Sequence, residues 1–94
     1  MNNLAKYHVV IELLIEALIN GVSQIKVYLY SELVVYQLNW VNTIRNLLLL
    51  RMFRRVWILE RYFEFISYQH IPIHLNAMDD SITNYVLDWY LAHV

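Results

Sequence analysis

Residues 24–38 read Gln-Ile-Lys-Val-Tyr-Leu-Tyr-Ser-Glu-Leu-Val-Val-Tyr-Gln-Leu, and this stretch decides the fold. Ile25, Val27 and Leu29 alternate with Lys26, Tyr28 and Tyr30, the two-residue period of a strand with one buried face. Ser31 follows, and its hydroxyl can accept from the free amides of a helix start. The helix is expected from Glu32 to about Trp40. A strand that runs straight into a capped helix begins an α/β arrangement, in which helices cover parallel strands.

The flanks extend the pattern. Before the strand, Leu4 to Ile19 reads as a helix: Leu4, Ile11, Leu14, Ile15 and Leu18 recur at helical spacing, and His8, Glu12 and Glu16 form a polar stripe. Asn20-Gly21 stops it, since Gly takes the left-handed conformation that follows many helices. After Asn42-Thr43 a longer helix is expected from Asn46 to Glu60, and a second strand around Phe63 to His70 ends at Pro72. Asp79 opens a last helix whose face is Ile82, Tyr85, Val86 and Trp89. The order is helix, strand, helix, helix, strand, helix. Two strands make a poor sheet, and such a layout looks like the second half of something larger.

Composition narrows the class. Ninety-four residues suit one domain with a modest core. A formal net charge of −1 excludes a histone-like polycation and an acidic tail. Hydrophobic residues make up 60% of the chain and charged ones 16%, which excludes intrinsic disorder and leaves apolar surface in need of cover. A membrane span does not supply that cover. The longest stretch without charge, Phe65 to Met78, contains Pro72 and two histidines and falls short of the ~20 residues a spanning helix needs. Met1 to Lys6 lacks the pattern of a signal peptide. Zero cysteines remove disulfides and thiolate chemistry and fit a reducing, intracellular compartment. One Gly and one Pro leave no room for a Gly-rich phosphate loop.

Ala5-Lys6-Tyr7, Val27 to Gln37, Arg45-Asn46 with Phe53 to Val56, Phe63 to Pro72, and Asn76 to Asp88, taken in this order and spacing, resemble the ribonuclease H domains of reverse transcriptases, in the branch of gypsy-type retroelements. Ala5-Lys6-Tyr7 resembles the Ala-Glu-Tyr that opens a helix in that family. Val27 to Gln37 looks like its strand-turn-helix, where an Asp-Ser pair precedes Leu-Val-Val and a Gln. Arg45-Asn46 and Phe53-Arg54-Arg55-Val56 are similar to the next helix, and Phe63 to Pro72 to the last strand. Asn76, Asp80, Asn84, Leu87 and Asp88 fall at the spacing of the closing helix. The resemblance covers Ala5 to Asp88 and implies a single partial domain over residues 1–94, the C-terminal part of a ribonuclease H-like α/β fold with its first three strands missing. It also implies that the strand over residues 24–30, which pairs with the first strand in the family, keeps an open apolar edge.

The family cuts the RNA strand of RNA–DNA hybrids with carboxylates that hold two divalent metals, one activating water and the other stabilising the leaving oxygen. Position by position, the resemblance places Lys6 where the helix Glu stands and Tyr30 where the second-strand Asp stands. The first-strand Asp has no counterpart. Asp80 is the one matching acidic position, expected to be non-functional alone, and Ile73 and His74 replace the Arg and Glu after His-Ile-Pro. One carboxylate does not hold two Mg²⁺ ions, which require oxygen ligands. No metal site and no cofactor are therefore expected, although the family uses Mg²⁺.

Other clusters have plainer readings. His8, Glu12 and Glu16 read as a solvated stripe, and His70 and His74 with Asp79 or Asp80 as hydrogen-bonded structure. A helix dipole explains Asp79 and Asp80 at a helix start. Trp40, Trp57 and Trp89 sit in apolar helical patterns and read as packing residues. Arg45, Arg51, Arg54, Arg55 and Arg61 hold five of the seven basic residues, and Arg51, Arg54 and Arg55 share one side of a helix. Guanidinium forks match phosphate oxygens, so these three are the nucleic-acid-binding candidates, with a solvated face as the alternative.

The sequence thus reads as a retrotransposon-derived, degenerate ribonuclease H-like domain, a pseudoenzyme with at most weak binding of RNA–DNA hybrid or other nucleic acid. The alternative is a structural or interaction protein that forms a homo-oligomer or binds a protein partner through its exposed apolar sheet edge. A third possibility is a segment of a longer polyprotein.

Overall fold

The computed structural model describes residues 2–72 and 90–94. Helix α1 spans Asn3–Ile19, and the Asn2 side chain accepts from the Ala5 amide at 2.8 Å. At the other end Gly21 takes φ 77°, the Gly21 amide donates to Leu18 O and the Val22 amide to Ala17 O. That paired return satisfies carbonyls the helix leaves open and turns the chain into the sheet. The buried seam of α1 is Tyr7, Val10, Ile11, Leu14 and Ala17. Ile15, expected inside, is 43% exposed, whereas Tyr7 is fully buried because its hydroxyl finds a partner within the core.

Strand β1, Gln24–Leu29, alternates half-buried and buried along its length, with Ile25, Val27 and Leu29 turned into the core. Ser31 caps α2, Glu32–Leu38, by accepting from the Val34 amide. Trp40 ends this segment at φ 65°, so the helix stops short of the expected Trp40. Asn46 caps α3, Leu47–Glu60, with its side chain accepting from both Leu48 and Leu49 amides. Met52, Phe53 and Val56 are the buried face of α3. Strand β2 spans Phe65–His70, two residues shorter at its start than the alternation suggested.

A third strand, β3, spans Tyr90–His93. The sheet order is β2-β1-β3, and both pairings are parallel. Two features of the sequence reading are corrected here. The sheet has three strands among the described residues, because a four-residue run without marked alternation pairs only through long-range contact. Strand β1 lies in the centre with both edges occupied: Gln24 to Leu29 pair with Phe65 to His70, and Ile25 to Tyr28 pair with Tyr90 to His93. The open apolar edge expected on β1 is filled by the chain itself. The last expected helix, with Asp79, Asp80, Ile82, Tyr85, Val86 and Trp89, lies outside the described residues.

One core joins these elements. Tyr7, Val10, Leu14, Ile25, Val27, Leu29, Val34 and Val56 are its fully buried side chains. Each aliphatic one contributes about 1.5–3 kcal/mol by leaving water. Two buried or half-buried hydrogen bonds lock the layers. Tyr7 Oη donates to Gln37 Oε1 at 3.0 Å, tying α1 to α2, and Tyr68 Oη donates to Glu60 Oε2 at 2.6 Å, tying β2 to the end of α3. Among the described residues no helix is long and apolar enough to cross a membrane.

Candidate nucleic-acid interface

The outer side of α3 gathers cations and aromatic rings. Met52, Phe53 and Val56 face inward, so helical periodicity turns Arg51, Arg54, Arg55, Trp57 and Ile58 outward. Arg51, Arg54 and Arg61 follow at i, i+3 and i+10 along the outer face of α3, and Arg55, next to Arg51 at i+4, stands at the margin of that face toward α1. Arg55 lines a shallow groove with Ile11, Ile15, Ile58 and Leu59, between α1 and α3. The three arginines singled out in the sequence are all exposed on one side of α3, and Arg55 borders the groove as well.

The stripe ends on an aromatic ladder. The Arg61 guanidinium lies 4.7 Å from the Trp57 ring centroid, within cation–π range. Trp57 meets Trp40 edge-to-face at 6.3 Å, and Trp40 meets Phe53 edge-to-face at 4.9 Å. Trp40 is 66% exposed and Trp57 43%. Both rings pack against neighbours, as read from the sequence, but neither is enclosed. Trp40 is swung out by its left-handed backbone, and Trp57 occupies the outer side of α3. Beside them a cavity of about 260 Å³ is lined by Gln37, Trp40, Asn42, Thr43, Ile44, Leu50 and Phe53. Arg61 belongs to the basic cluster read from the sequence but is not among its three binding candidates. Its signal was the i, i+4 spacing from Trp57.

The metal positions implied by the resemblance look different. Lys6 is half-buried in the first turn of α1. Tyr30 follows the end of β1 and its amide donates to Val94 O at 3.1 Å. An ammonium and a phenol are not Mg²⁺ ligands at neutral pH, so these two positions do not fit a two-metal centre. Asp80 lies outside the described residues, as do Ile73, His74 and Asp79. His8, Glu12 and Glu16 are exposed along α1, and Asn20 Nδ2 donates to Glu16 O at 2.8 Å. Among the described residues no three His, Asp or Glu side chains converge as a metal site would need.

The perturbed groups are clamps. Burial pushes the Tyr7 hydroxyl up, so it stays a donor to Gln37. Burial, then the neighbouring Glu60 charge, raises Tyr68. Burial raises the Glu60 carboxyl as well, while the Tyr68 hydrogen bond pulls it back down. On the surface, the hydrogen bond to Glu32 raises Tyr36.

No protein-family model matches the chain, and no curated protein matches it. Solved structures do. The N-terminal RNase H domain of a Mycobacterium tuberculosis protein, solved as a fusion with maltose-binding protein, superposes with a TM-score of 0.76 at 28% identity, over 86% of this chain and 62% of that one. RNase H1 from the halophilic archaeon Halobacterium salinarum superposes with a TM-score of 0.76 at 30% identity, over 86% of this chain and 61% of that one. The chain thus spans about three fifths of either structure. Its helices, and the parallel β1 and β2 between them, have a ribonuclease H-like fold.

Proposed function

We propose that the chain is a nucleic-acid-binding ribonuclease H-like domain that holds RNA–DNA hybrid weakly and does not cut it. The observation that carries the reading is the exposed stripe of Arg51, Arg54 and Arg61 with Trp57 at its end. Guanidinium groups on one helix face contact successive phosphates, and an exposed indole offers a stacking surface beside them. Lys6 and Tyr30, at positions where the resemblance calls for carboxylates, support the absence of cleavage. The segments quoted for the gypsy-type branch support an origin in a retroelement reverse transcriptase.

The test is a labelled hybrid incubated with the purified chain in Mg²⁺ or Mn²⁺. The RNA strand is expected to stay intact. Metal-dependent cutting that disappears in Asp80→Asn would overturn the reading.

A second reading rests on a separate observation. Ile15, Ile19, Leu33, Leu47, Ile58 and Tyr62 are large, apolar and between 43% and 80% exposed. Self-association or a protein partner would bury them. Such binding is insensitive to salt, whereas phosphate binding weakens steeply with it.

A further inference from the structure

Strand β3 pairs with β1 and with no other described strand. Beyond its last residue, the Val94 amide donates to Tyr28 O at 2.7 Å and Val94 O accepts from the Tyr30 amide at 3.1 Å. Parallel pairing has a two-residue repeat, and Ala92 lies opposite Val27, so Ala92 offers β1 the same donor and acceptor. Leu91 and His93 then direct their backbone groups to the outer edge of the sheet. The Val94 side chain is half-buried against the core.

The receiving edge is preformed. β1 is held on its far side by pairing along its full length with β2, and its Ile25, Val27 and Leu29 side chains anchor it in the core. The occupant is short, and it is joined to β2 through residues 71–89, more than the dozen or so that a parallel crossover needs. Its described hold on β1 is the backbone ladder, with Val94 against the core, and any copy of the same segment reproduces both. An open central strand would otherwise be a template for uncontrolled pairing.

We propose that this edge of β1 is a strand-acceptor site for an extended segment parallel to β1. Residues 90–94 are its tethered occupant, and the same segment of a second copy replaces them in trans. In cis the occupant is covalently joined to the site, so exchange is silent in dilute solution and emerges when the chain's own strand is disabled.

The experiment uses the full chain carrying Ala92→Pro, which removes the donor directed at β1, and a fluorescent peptide of residues 88–94 that stands in for the second copy's segment. Ala92→Pro is expected to bind the peptide saturably and at least tenfold more tightly than the unaltered chain. Leu91→Pro, whose lost donor points outward, should bind it no better than the unaltered chain. Equal peptide binding by all three chains, or none by Ala92→Pro when folded, overturns the proposal. Should Ala92→Pro not fold, hydrogen exchange on the unaltered chain decides. The amides of Ala92 and Val94 are expected to be protected at least tenfold more than those of Leu91 and His93, and uniform fast exchange along the segment contradicts the site.

Discussion

Tyr7 on α1 and Gln37 on α2, both buried, share a hydrogen bond of 3.0 Å in which the phenol donates to the amide oxygen. This bond joins two helices that flank β1 in sequence, and Gln37 also lines the cavity beside Trp40. Removing the donor by Tyr7→Phe strands a buried acceptor, at a cost of about 1–2 kcal/mol. Gln37→Leu strands the phenol to a similar extent. In urea unfolding the double variant is expected to lose measurably less than the sum of the two, because both polar partners are gone. Strict additivity would show that the pair is not coupled.

Alkaline stability follows from Tyr7 and Tyr68. Both phenols sit above the ordinary value of 10.0 in the folded chain, chiefly through burial. A folded pKa above the unfolded one means the chain binds these protons more tightly than the unfolded state does. Their contribution is complete below pH ~10 and is lost above it, at about 1.4 kcal/mol per pH unit for each phenol until the folded groups titrate. Absorbance titration should show the two phenols ionising only as the chain unfolds, and Tyr68→Phe should make the loss of stability shallower. Ionisation of both near pH 10 in folded protein would contradict the burial described here.

Val27 tests the central position of β1. It is fully buried, so Val27→Lys places an ammonium in the core without a partner and should abolish cooperative unfolding. On an open strand edge the same change would only weaken association. Ile19→Lys, at a residue 73% exposed, is the control and should shift stability by no more than ~0.5 kcal/mol. Circular dichroism on heating separates the outcomes, and a cooperatively folded Val27→Lys chain would contradict the placement of β1.

Local signals carried much of this fold. The Ile25, Val27, Leu29 alternation and the Ser31 and Asn46 caps act over a few residues, so β1, α2 and α3 were legible in the sequence. The Asn20-Gly21 stop was legible for the same reason. Strand β3 was not, because four residues pair with β1 only after the chain has crossed over, and no local pattern marks that. Without it β1 read as an edge. The site divides the same way. The arginine-rich face of α3 showed in the spacing, but the groove that Arg55 borders depends on where α1 lies. Trp40 read as apolar packing, and only its left-handed backbone turns it outward.

Affinity for RNA–DNA hybrid, measured against salt concentration, bears most directly on the proposed interface. Three phosphate contacts through Arg51, Arg54 and Arg61 predict that log K falls with log salt at a slope of about −2 to −3. Replacing the three together by Gln should bring that slope close to zero, and Arg55→Gln alone, on the groove side of α3, should leave it unchanged. A slope that survives in the triple variant, or binding that ignores salt in the unaltered chain, would contradict the assignment of phosphate contact to this stripe.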